Sequence, residues 1–267
     1  MRPTSGVLRL TVLGSGDAFS AAGALHSGYL LEHDGGRVLL ECGPAILAAI
    51  KRRGRRRAGA VLEGLDAVVI SHLHGDHFGG LPFLFLQYTV ATPRQRPLLV
   101  VGPPGTAARV ADLSEALYPG PQGKGRRLPF QLDYLEVGPG DLFEAAGVSA
   151  EAFEVPHSAV PFSLGYRFEA GGASVLFSGD SAWSEEFVER SRGVDLFLCE
   201  CCDLKPAGQG HLSYQELLAN RGRLGCKRLL LTHLGDEVRR GRGLAAGLDA
   251  ELATDGMTVE LGPGVGT

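Results

Sequence analysis

His72-Leu73-His74-Gly75-Asp76-His77 follows, after Ser71, on the apolar run Ala67-Val68-Val69-Ile70. A run that rich in β-branched residues reads as a buried strand. The chain leaves that strand through four residues of metal-ligating type, three imidazoles and a carboxylate. Such groups suit zinc and similar divalent metals. Burying that many polar side chains without a shared partner would be costly. A hydrogen-bonded His-rich loop is the plain alternative. The order His-x-His-x-Asp-His at a strand end argues for metal instead.

The rest of the chain reads outward from this loop. Leu8 to Leu13 alternates with period two, as a half-buried strand does, and Gly14-Ser15-Gly16-Asp17 then turns. Gly28 to Glu32 and Arg37 to Glu41 pair as a hairpin through His33-Asp34-Gly35-Gly36, because Asp-Gly is a strong turn signal. Ala45 to Arg53 reads as a helix closed by Gly54, and Leu81 to Tyr88 as another with Pro82 in its first turn. Leu98 to Val101 is a strand, and Thr106 is placed as the cap of a helix running through Leu117. Tyr118 to Leu128 is Gly/Pro-rich and basic, hence an exposed loop. Strands follow around Gln131 to Leu135, Val148 to Val155, Leu164 to Phe168, Ser174 to Phe177, Asp195 to Leu198 and Arg228 to Leu231. Helices start at Ser184-Glu185-Glu186 and run from Ser213 to Leu224. Strands followed by strand/helix alternation in each half imply two stacked sheets with helices outside.

The 267 residues contain no linker, repeat or low-complexity tract, so 1–267 reads as a single domain. A net charge of −4 argues against a general nucleic-acid coat. Met1 to Gly6 has no apolar segment behind its one basic residue, and no run is long enough to span a membrane. Five unevenly placed cysteines do not form a disulfide framework. A reducing cytoplasm is the expected location.

Ser71 to His77 resembles the metal motif of the metallo-β-lactamase superfamily, and the resemblance extends from Leu8 to about Asp236. It implies an α/β fold, the four-layer αβ/βα sandwich of two mixed β-sheets flanked by helices. It also implies two metals. His72 and His74 would bind one, together with a later His; Asp76 and His77 would bind the other, together with a final His; an Asp would bridge. His157 in Val155-Pro156-His157-Ser158, Asp180 at the end of Ser174 to Asp180, and His233 after Arg228 to Thr232 occur in that order. Each ends a strand-like run, where open sheets place their sites. Glu41 stands where the superfamily usually has Asp before Cys-Gly, and is assigned the same supporting role. Two divalent ions are therefore expected, zinc first, although His/Asp sites also accept manganese or iron. A water held between them would lose its proton near neutral pH and attack the substrate.

A proton for the leaving group must come from elsewhere. Gly210-His211-Leu212-Ser213 precedes a helix whose start is a capping box, Ser213 with Glu216 three residues on. That helix start is expected to attract an anion, with His211 beside it as general acid. Asp76 and His211 are thus the residues assigned to catalysis. Ser213 and Glu200 are assigned to support or substrate contact. Gly14 to Asp17, the metal loop and Gly210 to Ser213 are similar to the tRNase Z and phosphodiesterase branch. The tRNA-processing members carry His-Glu-Ala-Thr where this chain has Cys199-Glu200-Cys201-Cys202, and they carry a long Gly/Pro-rich arm with no counterpart here. Lys51-Arg52-Arg53-Gly54-Arg55-Arg56-Arg57 is either a phosphate contact or a solvated helix end, and the latter is preferred. The crowded cysteines are read as packing.

The expected activity is hydrolysis of a small phosphodiester by a dinuclear metal enzyme. The alternatives are tRNA 3′ processing, with RNA as partner; a lactone, thioester or sulfate-ester hydrolase; and a metal-retaining binding protein. No membrane partner is expected, and a homodimer is left open.

Overall fold

The first strand shows how the layers arise. In the computed structural model, which describes residues 6–119, 128–159, 161–208, 210–241 and 243–263, Leu8, Leu10 and Val12 of β1 (Leu8–Gly14) enter one core while Leu13 enters another. The hairpin splits the same way. β2 (Gly28–Glu32) and β3 (Arg37–Leu40) pair antiparallel with Tyr29 opposite Leu40. Leu31, Val38 and Leu40 face the first core, and Leu30 and Leu39 the second. Side chains alternate across a strand, so strands apolar on both faces must be covered on both.

After β3 the chain forms α1 (Ile46–Arg52), α2 (Arg55–Gly64), β4 (Ala67–Val69), α3 (Gly75–Phe78), α4 (Leu81–Leu86), β5 (Leu98–Gly102), α5 (Thr106–Leu117) and β6 (Leu132–Glu136). The second half contributes β7 (Leu142–Ala145), β8 (Val148–Val155), β9 (Ser163–Ala170), β10 (Ala173–Phe177), α6 (Glu186–Arg190), β11 (Leu196–Glu200), α7 (Tyr214–Asn220), β12 (Arg228–Thr232), α8 (Asp236–Arg240), α9 (Leu244–Gly247), β13 (Glu251–Leu252) and β14 (Thr258–Leu261). Two seven-stranded sheets result, ordered β14-β1-β2-β3-β4-β5-β6 and β13-β12-β11-β10-β9-β8-β7. Both are mixed.

The sheets pack face to face through Leu10, Leu31 and Val69 on one side and Tyr166, Val175 and Leu198 on the other. Ile50, Val61, Leu84 and Val110, from α1, α2, α4 and α5, cover the outer face of the first sheet. Phe187, Leu217 and Val238 cover the second. This is the expected αβ/βα sandwich. β1, β3 and β4 run in one direction in the first sheet, and β8, β10, β11 and β12 in one direction in the second. Their carboxyl ends carry the candidate ligands.

Two local expectations change, and a third lies largely out of view. Arg55 to Arg57 do not extend a helix end: Gly54, at φ 87°, breaks the chain and they begin α2. Thr106 is the first residue of α5 rather than its cap; Gly105 holds that place at φ 92°, and the Thr106 hydroxyl donates to the Pro103 carbonyl. Of the loop expected from Tyr118 to Leu128, residues 120–127 lie outside the described residues.

Candidate metal centre

β4 ends in a fully buried turn, and two contacts to the other sheet fix where it points. Leu164 N–H donates to the Ser71 carbonyl at 3.0 Å, and the Tyr166 hydroxyl to the Ile70 carbonyl at 2.8 Å. The one-turn helix α3 then carries Asp76 and His77 back toward His72. Glu41 accepts from Ser71 N–H at 3.0 Å with one oxygen and lies 3.5 Å from His77 Nδ1 with the other. Glu41 thus sits between the Ser71 backbone and the His77 ring. Its φ of 63°, like the 51° of His233, is a left-handed conformation costly for a side-chain-bearing residue.

Six of the eight histidines converge here. The ligand atoms of His72, His74 and His157 lie within 4.8 Å of one another, and so do those of Asp76, His77, Asp180 and His233. These are the two sets expected from the sequence. Asp180 Oδ2 sits between them, 3.1 Å from His77 Nε2, 3.4 Å from His233 Nε2 and 3.9 Å from His72 Nε2. His72, His77, Asp180 and His233 form a buried floor, while His74, Asp76, His157 and His211 line the accessible side.

Three of the rings are oriented through their other nitrogen. His72 Nδ1 pairs with the Ser71 hydroxyl at 3.0 Å, His233 Nδ1 with the Ser27 hydroxyl at 3.0 Å, and His157 Nδ1 with the Gly210 carbonyl at 2.8 Å. This is how histidine ligands are held in metal sites. The inward atoms are the ones left over. His72 Nε2 and His77 Nε2 are buried without a hydrogen-bond partner, and His157 Nε2 meets His74 Nδ1 at 3.2 Å. Unsatisfied buried nitrogens aimed at a common point are expensive unless something binds there. The donor set, imidazoles with two carboxylates, fits divalent metal.

The electrostatics agree. Burial keeps His72, His74 and His157 below the ordinary imidazole range and takes His233 to about 4, so these rings are neutral, as ligands must be. Burial opposes charge on His77 as well, but Asp180 and Asp76 outweigh it and hold its proton well above the usual range. Asp180 is likewise buried, yet His233 and His77 keep it ionised.

His211 stands beside the cluster, its Nδ1 3.0 Å from Glu200 Oε1 and 4.0 Å from Asp180 Oδ2. Burial lowers its affinity for a proton, but the Glu200 carboxylate raises it to about 9. Glu200 is itself pushed up by burial. It also accepts from Ser181 N–H at 2.6 Å and Cys202 N–H at 3.3 Å, so one carboxylate ties the turn after Asp180 to the loop that presents His211. Ser213 caps α7 as expected, with the reciprocal Glu216 bond. The phosphate-binding role expected of that helix start does not hold. Tyr214, Gln215 and Glu216 N–H groups are already bonded to Asp203, Leu204 and Ser213, which leaves no donor for an anion.

Sequence reasoning missed Ser27 and the Gly210 carbonyl, which sit far along the chain from the rings they hold. It also set Cys202 aside as packing, whereas its sulfur lies within 4.8 Å of the His211 and His233 nitrogens. Cys199 and Cys201 do pack, fully buried in the core under α6 and α7.

Residues 36–234 match the family model described as beta-lactamase superfamily domain, and the chain belongs to that family. Within it, the chain is similar to the Ribonuclease Z of Mycolicibacterium paratuberculosis, 28% identical over 270 residues that cover 90% of this chain and 92% of that protein. Among solved structures it is similar to the metallo-beta-lactamase fold protein YhfI from Bacillus subtilis, with TM-score 0.77, 22% identity and coverage of 97% and 100%. It is also similar to the short form of human tRNase Z, with TM-score 0.73, 22% identity and coverage of 94% and 98%.

Proposed function

We propose that this chain is a dinuclear metal-dependent phosphodiesterase acting on a small phosphodiester. The observation that carries the reading is the position of Asp180 Oδ2 between the two histidine sets. His72, His74, His157 and Asp180 would hold one ion; Asp76, His77, Asp180 and His233 would hold the other. Zinc is the first choice, since neutral imidazoles dominate the set. Two such ions supply Lewis acidity and a water nucleophile at neutral pH.

The remaining steps belong to the chain's own groups. Asp180, ionised and buried, fixes the spacing of the two sets. His211, on the accessible side and protonated at neutral pH through Glu200, donates its proton to the departing oxygen. Glu200 is a positioning residue: it holds His211 and the Asp180 turn in one geometry. Ser213 acts through the helix start and touches no substrate, because its hydroxyl is committed to Glu216. His74, Asp76 and His157 line the approach.

A second reading, cleavage of RNA at a phosphodiester bond, is favoured by the name of the similar mycobacterial protein. Against it stands the core-packed Cys199 at the place where the tRNA-processing motif has histidine. The chemistry is common to both, so the substrate decides. Metal-replete protein should hydrolyse bis-p-nitrophenyl phosphate and leave precursor tRNA largely uncut. Turnover of lactones or thioesters with no phosphodiester hydrolysis would overturn the proposal.

A cytoplasmic location is proposed on the five free cysteines. Among the described residues no helix is long and apolar enough to cross a membrane. Residues 1–267 are proposed as one domain because the central core draws on both sheets.

A further inference from the structure

The basic run from Lys51 to Arg57 is only half explained as a helix end. Lys51 and Arg52 do lie in the last turn of α1, where cations suit the helix dipole. Arg55, Arg56 and Arg57 instead occupy the first turn of α2, which has no acidic residue. Cations at the positive end of a helix are unfavourable. A sequence that breaks a local rule without local compensation points to a function for the residues concerned.

The compensation missing from the chain has a place to bind. Arg53, Arg56 and Arg57 line a cavity of about 490 Å³ together with Arg9, Arg37 and Glu32. Among the described residues that line it, five guanidinium groups thus meet one carboxylate. Arg37 is bonded to Glu32 at 2.7 Å, and Arg9 to Glu260 at 2.6 Å. Among the described residues the side chains of Arg53, Arg56 and Arg57 form no salt bridge or hydrogen bond, and Arg53 Nε is buried without a partner. Burial and the neighbouring Arg57 and Arg9 charges all press on Arg53, and Glu32 offsets them only in part. The volume lies within the ordinary range of small-ligand pockets, roughly 300–1,000 Å³.

The pocket is not part of the metal centre. Glu32, which lines the pocket, ends β2, and Ser27, which holds His233, directly precedes that strand, so the two sites are separated by about 16 Å of extended strand. We propose that this arginine pocket is a second ligand site, which binds the phosphate group of an anionic ligand at the end of the first sheet's strands opposite the metal centre. Planar guanidinium forks match phosphate oxygens in pairs, and an anion would neutralise the first turn of α2.

The test is equilibrium dialysis of radiolabelled inorganic phosphate against metal-loaded, full-length protein. In R53Q/R57Q, one class of phosphate site should weaken roughly tenfold or more, the size expected on losing charge-assisted bonds. Metal content and bis-p-nitrophenyl phosphate hydrolysis should be unchanged, because any phosphate bound at the metals is unaffected. R56Q/R57Q, at two exposed positions, gives the same reading if Arg53 proves necessary for folding. Competition by a nucleoside monophosphate as effective as phosphate itself would identify a small ligand; competition by short single-stranded RNA at far lower concentration would identify a nucleic-acid backbone. Superimposable phosphate titrations of wild type and both variants would overturn the proposal.

Discussion

Glu200→Gln is the substitution that separates holding His211 in place from charging it. The amide keeps the shape of the carboxylate and one acceptor for Ser181 N–H, now at 2.6 Å, but loses the negative charge 3.0 Å from His211 Nδ1. That charge is the largest influence raising the His211 pKa from 6.5 to about 9, with Asp180 contributing less. Without it the ring should titrate at or below its ordinary value. A raised histidine pKa means that the proton is present below about 9 and lost above it. At pH 8, about nine His211 rings in ten carry the proton in the native chain, against about one in thirty in the variant. Turnover of an alkyl phosphodiester, which needs a protonated leaving group, should fall roughly thirtyfold there and less than about twofold at pH 6. The assay is the pH profile of kcat with metal content verified at each point. The descending limb should move to lower pH by about two and a half units. An unmoved limb, or an equal loss at both pH values, would refute the link between Glu200 and the charge on His211.

Other outcomes follow from the same geometry. Asp180→Ala should lower metal content in both sets and cost several orders of magnitude in rate, whereas His77→Ala should empty mainly one; metal analysis beside kcat distinguishes them, and a near-native rate for Asp180→Ala would remove it from between the sets. His211→Ala should slow esters with poor leaving groups by about 10²–10⁴-fold, spare p-nitrophenyl esters and leave metal content unchanged. Lost metal would make His211 a ligand, as its closeness to Cys202 and His233 allows. Gly179→Ala puts a methyl 2.6 Å from the Leu164 carbonyl at a φ of +59°, so chemical denaturation should show a loss of about 2 kcal/mol or more, along with weaker metal retention.

Much of this arrangement was legible because its signals are local. Val68 and Val69, or Leu39 and Leu40, announce strands covered on both faces. The residues that close those strands are then polar for a reason. The ligands were readable as types at strand ends, and Asp180 and His233 stand where such reading put them. Ser27 and Gly210 were not readable, because a hydroxyl or carbonyl that steadies a ring is chosen by topology and leaves no mark in its own neighbourhood. Helix α2 was hidden by its arginines, which conceal the stripe of Ala58, Val61 and Leu62 that packs it. β7 is four residues long with Leu142 exposed, too short and too open to alternate visibly. The anion expected at α7 failed on donors already spent on Asp203, Leu204 and Ser213, partners set by the tertiary fold.

The cross-sheet bonds from Leu164 to Ser71 and from Tyr166 to Ile70 bear on how the enzyme matures. Each sheet owns only part of the proposed ligand set: the first provides His72, His74, Asp76 and His77, the second His157, Asp180 and His233. Neither half can assemble a complete coordination sphere before the two have docked. Cation uptake should therefore be a late event in folding, and escape of the buried ions should require the sheets to part. The rate at which a chelator strips metal would then report the opening of the sandwich and saturate with chelator concentration.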